Sequence, residues 1–332
     1  MQLPKVSVII VNYNGKALLE KCLESLFKVN YDNFEVILID NNSTDKSIKF
    51  VTTNYPSVII IKLDSNKGFA EPNNIASKIT TGEYLLFLNN DTIVTPNFII
   101  ELLSVFLNSS NIAICQSLLL KLDGKIDSSG DFIDSIGVVY NSTSVINDIR
   151  EISSARGASM IVKKKVFTDL GGFDEKFFVS FEDVDLGWRT WINGYRVVIN
   201  PKSIVYHYGG QTHDAIKTEI AFHGLKNQLA MKITNFETSF VIKSLFKFFI
   251  IYGLRELKIL LDYKIKGYTN TTSTKYESKF ASKPSITVIF KSILWILKNT
   301  KYLKQKHNKI KSQRKVSTKK LLEMNVLSDS IM

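Results

Sequence analysis

The 332-residue sequence lacks several features that mark whole classes of protein. Its two cysteines, Cys22 and Cys115, lie in apolar surroundings and form no metal-type pair, so we expect two reduced core residues. The apolar run at residues 6–11 is too short for a signal peptide. Lys and Arg interrupt the very apolar residues 239–261, so no uncharged run there approaches the roughly 20 residues of a membrane-spanning helix. These absences predict a cytosolic protein.

The common glycine-rich signatures of nucleotide-binding proteins are also missing. No G-x-G-x-x-G follows the first predicted strand, and there is no Walker loop. This argues against a dinucleotide, so a single nucleotide is the favoured ligand.

Acidic residues are scarce in the carboxyl-terminal part of the chain. Residues 236–332 hold 20 Lys and Arg against 6 Asp and Glu, whereas residues 1–235 hold 23 against 25. No known nucleic-acid motif or aromatic platform accompanies the basic charge, which favours an anionic membrane surface over nucleic acid. We therefore predict that residues 236–332 form a helical, basic, amphipathic extension that associates with a membrane and ends in a flexible tail. The alternative is a helical hairpin that packs on the core.

The first 110 residues alternate short apolar runs with helical patterns. Strands are predicted at residues 5–11, 34–39, 58–63 and 84–88, and helices at residues 16–28, from residue 43 or 44, and up to residue 79. A further helix and strand are predicted at residues 96–107 and 112–120. This alternation is typical of a doubly wound, mostly parallel α/β sheet.

Polar residues follow the first, second and fourth strands. Asn12, Asp40 and the run Asn89-Asn90-Asp91 stand where these strands end, and parallel strands end at one edge, so the side chains should converge. A carboxylate beside two amides suits a hard divalent cation that carries a phosphate. Asp40 is well placed to accept hydrogen bonds from ribose or base. The alternative for residues 89–91 is a turn that caps the next helix.

These residues carry a resemblance to a known family. Residues 6–15, 40–45, 66–74 and 88–92 resemble the successive motifs of the family 2 glycosyltransferases, especially the rhamnosyltransferase-like branch. The resemblance implies a GT-A fold, a nucleotide-diphosphate sugar donor, inversion at the anomeric carbon and a Mn²⁺ or Mg²⁺ ion at Asp91. Asn89 replaces the first Asp of the family's D-x-D motif. The positions that the resemblance assigns to the donor are Asn12, Asn14, Asp40, Asn42, Gly68, Asn74 and Asn90.

A second group of chemically active residues lies between residues 156 and 207. Three carboxylates crowd one predicted helix start, and their mutual repulsion would give one of them the raised proton affinity of a base. The alternative is simple capping. The resemblance identifies Asp183 as the base and His207 as a second metal ligand. The predicted acceptor-binding residues are Arg156, Gly157, Glu182, Asp185 and Trp188.

The span between these two groups carries less information. We expect residues 123–150 to form a hairpin or a flexible flap, with the carboxylates of Asp127, Asp131 and Asp134 exposed to solvent. The glycosyltransferase domain is predicted over residues 1–235, with a donor-binding half (1–110) and an acceptor-binding half (111–235).

The resulting hypothesis is an inverting, metal-dependent glycosyltransferase of cell-surface polysaccharide synthesis. Asp183 would deprotonate a hydroxyl of a glycan or lipid-linked glycan, which then attacks the donor sugar, rhamnose being one candidate. The enzyme would associate peripherally with the inner face of the cell membrane. The alternatives are a metal-dependent sugar nucleotidyltransferase and a non-enzymatic membrane-binding adaptor.

Overall fold

The computed structural model describes residues 3–107, 109–209, 214–247, 250 and 286–328. A large mixed sheet has the strand order β10-β12-β6-β11-β4-β1-β2-β3, and β5 and β7 pair with β12 and β6. Its strands are β1 (Val6–Asn12), β2 (Phe34–Asp40), β3 (Ile59–Lys62), β4 (Tyr84–Asn89), β5 (Thr92–Val94), β6 (Ile112–Leu120), β7 (Ile126–Ser128), β10 (Arg150–Glu151), β11 (Ser159–Lys163) and β12 (Arg196–His207). Strands β1 to β4 are mutually parallel where they pair, and β11 runs antiparallel to both of its neighbours.

Helices cover both faces of this sheet because its central strands are apolar on both sides. Alternate residues of β1 enter different cores: Val8 and Ile10 join one, and Ile9 joins the other. Buried residues of α1 and α4 belong to the first core, and those of α3 and α6 to the second. These helices are α1 (Lys16–Leu26), α2 (Ser47–Asn54), α3 (Ala70–Ile79), α4 (Phe98–Leu107), α5 (Lys164–Asp169) and α6 (Glu182–Ile192). The predicted α/β class is confirmed.

Helix α2 begins later than the sequence predicts. Its first residue is Ser47, whereas the predicted start was residue 43 or 44. The Ser43 Oγ accepts a hydrogen bond from the Asn14 N–H at 3.0 Å, and the Thr44 N–H donates to Asn14 Oδ1 at 2.7 Å. These polar groups therefore join two loops at the end of the sheet, where a cap was expected.

Residues 123–150 contain the hairpin of the two predicted alternatives, and the prediction of solvent-exposed carboxylates there is wrong for Asp131 and Asp134. Strands β8 (Asp131–Asp134) and β9 (Val139–Asn141) pair antiparallel, and β13 (Leu327–Ser328) pairs parallel with β8. Asp131 is fully buried and Asp134 is 4% exposed. Strands β8 and β13 are far apart in the sequence, so local residue patterns do not predict their pairing.

The carboxyl-terminal helices lie against the domain. They are α7 (Asp214–Asn235), α8, which includes residues 238–247, α9 (Ile286–Lys298), α10 (Thr300–Gln313) and α11 (Thr318–Glu323). Leu303, Ile310 and Leu321 are buried in the same core as α6, and the N–H groups of Lys315 and Val316 donate to the Ile192 carbonyl. Residues 300–328 thus correspond to the packed alternative and not to the expected flexible tail.

Parts of the predicted in-plane helix at residues 239–261 lie outside the described residues. Within the part that the structure describes, no helix is both long enough and apolar enough to cross a bilayer. Both cysteines are free and buried, as expected, and burial raises the pKa of the Cys22 thiol to about 12.

Candidate donor and catalytic site

Asn12 connects the ends of three elements at the carboxyl edge of the sheet. Its side chain is fully buried, and its Nδ2 donates to Ser43 Oγ at 3.1 Å and to Ser47 Oγ at 3.0 Å. Its Oδ1 accepts a hydrogen bond from Asn90 Nδ2 at 2.8 Å. The predicted convergence of the strand ends is therefore present, and Asn12 and Asn90 are joined directly.

Asp40 offers an unused acceptor at the same edge. It is 4% exposed, pairs in register with Asn12, and its Oδ2 accepts from the Ser43 N–H at 3.2 Å. Its buried Oδ1 has no hydrogen-bond partner in the described part of the chain. An unsatisfied buried carboxylate oxygen is costly, so a ligand donor at this position would stabilise it.

The loops around Asp40 differ in how they can reach a ligand. Asn14 and Asn42 are exposed and have left-handed backbone conformations, with φ of +50° and +68°. Asn74 is buried, and its side chain bonds to the Phe173 N–H and carbonyl and to Glu175 Oε1. Its hydrogen bonds thus hold the turn at residues 173–175, and none of them involves Asp40.

Gly68 allows two loops to meet beside the site. Its φ is +77°, and an added Cβ would lie 2.0 Å from the Phe178 carbonyl oxygen. The next residue, Phe69, donates its N–H to that same oxygen at 2.7 Å. Only glycine fits this contact, because any side chain would collide with backbone. Gly68 therefore joins the donor-side loop to the segment that precedes α6.

Asp91 and His207 form a pair at the end of β4 and β12. His207 Nε2 lies 3.4 Å from Asp91 Oδ1, and its Nδ1 lies 3.0 Å from Asp127 Oδ2. Burial alone lowers the pKa of His207, but hydrogen bonds and negative charge from Asp127 and Asp91 raise it to about 9. The two carboxylates therefore favour the protonated form of the ring, and Nδ1 is within hydrogen-bonding distance of Asp127.

The same pair can hold a divalent cation. One carboxylate oxygen and one imidazole nitrogen lie close together, and Mg²⁺ and Mn²⁺ sites in enzymes commonly use few protein ligands plus substrate phosphates. The described residues contain no group of three His, Cys, Asp or Glu side chains arranged for a metal ion. Asp91 and His207 therefore fit a cation that the donor diphosphate and water help to bind.

Asp183 lies in the first turn of α6 and contacts the residues that precede β11. Its Oδ2 accepts from the Gly157 N–H at 3.1 Å, and its Oδ1 accepts from the Val184 N–H at 2.8 Å. The neighbouring Ala158 carbonyl accepts from the Asn89 N–H at 3.1 Å. Two hydrogen bonds and a short stretch of backbone thus connect Asp183 with the end of β4, two residues from Asp91.

Arg156 is a partly buried cation near these two groups, with a side chain that is 17% exposed. Its Nε donates to Asp131 Oδ1 at 3.1 Å. Burial lowers its pKa, but the negative charge of Asp131 above all, and then of Asp183 and Asp127, raises it above the ordinary value. The guanidinium therefore stays charged beside both the candidate base and the candidate metal pair. The sequence analysis expected Asp131 to be exposed to solvent and did not pair it with Arg156.

The other predicted acceptor residues face the protein interior. Asp185 is fully buried and bonds to Arg189 at 2.8 Å and to Lys306 at 3.0 Å. Trp188 is 1% exposed and packs edge-on against Phe236. Glu182 is 6% exposed. Asp183, the third carboxylate at this helix start, accepts the hydrogen bond from Gly157.

The turn before α6 has a strained backbone. Ser180 and Phe181 have φ of +72° and +68°, a region that costs non-glycine residues of order 1–3 kcal/mol each. Asn227 of α7 is fully buried and donates to the carbonyls of Val179 at 3.0 Å and Ser180 at 2.7 Å. Helix α7 therefore holds the turn that sets the position of Asp183.

Comparison with solved structures defines the class of protein. The fold resembles the mannosyltransferase PcManGT of Pyrobaculum calidifontis in complex with GDP-Man and Mn²⁺, with a TM-score of 0.59, 15% identity and coverage of 94% of this chain and 86% of that one. It also resembles Staphylococcus aureus TarS 1–349 in complex with UDP-GlcNAc, with a TM-score of 0.56, 17% identity and coverage of 80% and 76%. The protein thus has the GT-A fold of glycosyltransferases.

Sequence comparison gives the family. Residues 7–170 match the family described as Glycosyl transferase family 2, and the chain belongs to this family through that domain. It is 32% identical over 221 residues to the O-antigen biosynthesis protein RfbC of Myxococcus xanthus. That match covers 62% of this chain and 17% of the relative, so the chain spans a small part of the relative's length.

Proposed function

We propose that the protein is an inverting glycosyltransferase that uses a nucleotide-diphosphate sugar and a divalent cation. The observation that supports this most strongly is the connection between Asp183 and Asp91 through Gly157, Ala158 and Asn89. It joins a carboxylate at the start of α6 with a carboxylate and a histidine at the sheet edge. A single displacement requires a base and a site for the leaving diphosphate close to each other.

In the proposed reaction Asp183 takes the proton of the acceptor hydroxyl. The oxygen attacks the anomeric carbon from the face opposite the leaving diphosphate, so the bond to the acceptor forms as the bond to the diphosphate breaks, with inversion. The N–H groups of Gly157 and Val184 hold both Asp183 oxygens, which orients the carboxylate without protonating it. A positioned base of this kind contributes about 10²–10⁴-fold in rate.

The diphosphate end of the donor would lie at Asp91 and His207. A cation bound there would offset the negative charge that grows on the leaving diphosphate. Asp40 would accept hydrogen bonds from the ribose or base with its unpaired Oδ1. We propose Asn12, Asn14, Asn42, Gly68 and Asn90 as further donor contacts, and Asn74 as a support of the turn at residues 173–175.

The acceptor is proposed to be a growing or lipid-linked glycan, which approaches along Arg156 and Gly157. The name of the Myxococcus xanthus relative links it to O-antigen biosynthesis, which supports a role in surface polysaccharide synthesis. Rhamnose is the donor sugar that we test first, with mannose and N-acetylglucosamine because the solved relatives hold GDP-Man and UDP-GlcNAc.

A screen of UDP-, GDP- and dTDP-sugars for hydrolysis and binding, with Mn²⁺ or Mg²⁺ present, tests the proposal. We expect one donor to bind tightly in a cation-dependent manner and to be slowly hydrolysed, and Asp91→Ala to lose the cation dependence. Equal donor affinity of the wild type and Asp91→Ala, with and without cation, would contradict the proposed metal site. Formation of a nucleotide-diphosphate sugar and pyrophosphate from a nucleoside triphosphate and a sugar phosphate would instead indicate a nucleotidyltransferase.

We further propose that α8 and α9 hold the enzyme at the inner membrane surface. Both helices pack on α7 through Leu245 and Val288, yet their other faces leave large apolar side chains exposed. Those residues are Ile242, Phe246, Ile286, Phe290, Ile293, Leu294 and Leu297. Exposed lysines border them, namely Lys243, Lys291 and Lys298. An apolar face with a lysine border is typical of a helix that lies in the plane of an anionic bilayer.

Point substitutions test this surface better than truncation, because removal of residues after 236 would also remove α10 from the core. The double variant Phe290→Ser, Leu297→Ser should weaken binding to phosphatidylcholine vesicles that contain phosphatidylglycerol by about tenfold or more, since burial of each such side chain is worth about 1.5–3 kcal/mol. The control Leu107→Ser, at a position on α4 that is more exposed (80%) than Phe290 (66%) and Leu297 (63%), should bind like the wild type. Equal sedimentation of all three proteins would contradict membrane docking by α9.

A further inference from the structure

We infer that Asp127 is a positioning residue for the cation site: it holds the imidazole of His207 so that Nε2 faces the position beside Asp91. This inference rests on the proposed function, because it assigns a role within the cation site proposed above. Asp127 belongs to none of the sequence motifs that identify the family in this chain, and the sequence analysis expected it to be a solvent-exposed loop residue.

The register of the sheet places His207 between two carboxylates. On one side, β5 pairs with β12 so that Thr92, the residue after Asp91, lies opposite His207. On the other side, β6 separates β12 from β7, with Tyr206 opposite Leu120 and Leu120 opposite Ile126. Asp127 is the next residue of β7. The three residues therefore meet through strand pairing and not through a flexible loop.

The two carboxylates contact different nitrogens of the ring. Asp127 Oδ2 lies 3.0 Å from Nδ1, and Asp91 Oδ1 lies 3.4 Å from Nε2. These nitrogens point in different directions from the imidazole, so Asp127 lies behind the ring when it is viewed from Asp91. This position suits an outer partner of the histidine and not a third ligand on the same ion.

The chemistry of metal-bound histidine explains what such a partner does. A carboxylate that accepts the Nδ1 proton fixes the tautomer that leaves the Nε2 lone pair free for the metal, and it also fixes the orientation of the ring. Asp127 is itself held in place, since Asn141 Nδ2 donates to its backbone carbonyl at 2.7 Å. Its side chain is 20% exposed and that of His207 is 14% exposed, so water competes little for this bond.

The test measures Mn²⁺ affinity by electron paramagnetic resonance, with UDP and in a separate series with GDP. Removal of an outer-shell partner typically costs 10–100-fold in metal affinity, and we expect Asp127→Ala to lose this amount. Asp127→Asn retains an oxygen that can accept from Nδ1, so its affinity should lie closer to that of the wild type. Asp127→Glu keeps the charge but displaces the carboxylate oxygen, so it should weaken Mn²⁺ binding as much as Asp127→Ala. The glutamate variant therefore provides the same test if Asp127→Ala does not fold.

A matched control separates orientation from simple charge. Asp123 lies in the same hairpin, is 51% exposed and pairs with Lys125, so Asp123→Ala removes one nearby negative charge without contact to His207. It should bind Mn²⁺ like the wild type. Equal Mn²⁺ affinity of Asp127→Ala and the wild type would overturn the inference. Equal losses of Mn²⁺ affinity in Asp127→Asn and Asp91→Ala would also overturn it, because they would indicate that Asp127 is a direct ligand of the ion. Wild-type affinity in Asp91→Ala would show instead that the proposed cation site itself is wrong.

Discussion

Lys306 offers a direct test of whether the basic carboxyl-terminal segment belongs to the catalytic domain. Its Nζ lies 2.5 Å from Asp174 Oδ2 and 3.0 Å from Asp185 Oδ1, and its side chain is 13% exposed. Asp185 is fully buried on the same helix as Asp183. The substitution Lys306→Met keeps the length of the side chain and removes its charge, which leaves both carboxylates with fewer partners.

The expected loss of stability follows from what remains around these carboxylates. Removal of one partner from a buried ion pair costs about 3–5 kcal/mol, because an uncompensated charge stays buried. Asp185 keeps Arg189 at 2.8 Å, and Asp174 keeps the hydroxyl of Tyr302, so we expect the lower end of this range, about 3 kcal/mol.

Urea unfolding measures this difference in the free energy of unfolding. The matched control is Lys304→Met, which removes an exposed lysine from the same helix and should change stability by less than about 0.5 kcal/mol. Equal unfolding curves for the two variants would refute the conclusion that α10 is part of the domain core.

The pH dependence of this effect has a defined sign. Burial alone raises the pKa of Asp185, but the charges of Arg189 and Lys306 lower it below the ordinary value. A carboxylate with a depressed folded-state pKa contributes stability that is present above its unfolded pKa near 3.9 and is lost as the pH falls through its folded pKa. The gap between the wild type and Lys306→Met should therefore persist at neutral pH and close under strongly acidic conditions.

Three further predictions concern residues that contact the segment before α6, namely His223, Gly68 and Asn227. Burial lowers the pKa of His223 to about 4, so between pH 6.5 and about 4 the unfolded chain binds more protons than the folded protein. The melting temperature should therefore fall as the pH is lowered through this window, and it should fall less in His223→Phe. Gly68→Ala should reduce both stability and donor affinity, measured by urea unfolding and calorimetry, since its Cβ would collide with the Phe178 carbonyl; unchanged values would contradict this contact. Asn227→Leu should lower kcat more than it raises KM, because it frees the strained turn at Ser180; a change in KM alone would argue against a positioning role.

The regular part of the fold could be predicted from the sequence because local patterns determine it. Strand β6 was predicted with its observed ends, residues 112 and 120, since its apolar run is bounded by polar residues. The convergence of Asn12, Asn90 and Asp40 followed from the rule that parallel strands end at one edge. Both inferences needed only neighbouring residues and the sheet geometry.

The roles of Asp127 and Asp131 could not be predicted because they depend on distant partners. Asp127 meets His207, 80 residues away, and Asp131 meets Arg156, 25 residues away. The Asp123-Gly124 turn before Ile126 was the available signal, since it marks a hairpin whose second strand must lie beside β6. The prediction of a hairpin or a flexible flap at residues 123–150 left the partners of these carboxylates open.

The prediction of a flexible tail was wrong because the many basic residues of the carboxyl-terminal segment outnumber the few apolar residues of its buried face. Ten Lys and Arg between residues 298 and 320 suggested a flexible tail. Leu303 and Ile310 are nevertheless spaced seven residues apart on one face of α10, and both are buried. The lysines cover the outer face, while Lys306 itself reaches inward to buried carboxylates.

The most direct test of the account is to compare the wild type and Asp183→Asn on the donor that the screen identifies. Asn keeps the size and most hydrogen bonding of Asp but cannot accept the acceptor proton. We predict unchanged cation-dependent donor affinity by calorimetry and a loss of turnover of about 10²–10⁴-fold, with Asp169→Asn, an exposed carboxylate on α5, as a fully active control. If Asp183→Asn retains most of its turnover, Asp183 is not the base and the proposed mechanism is wrong.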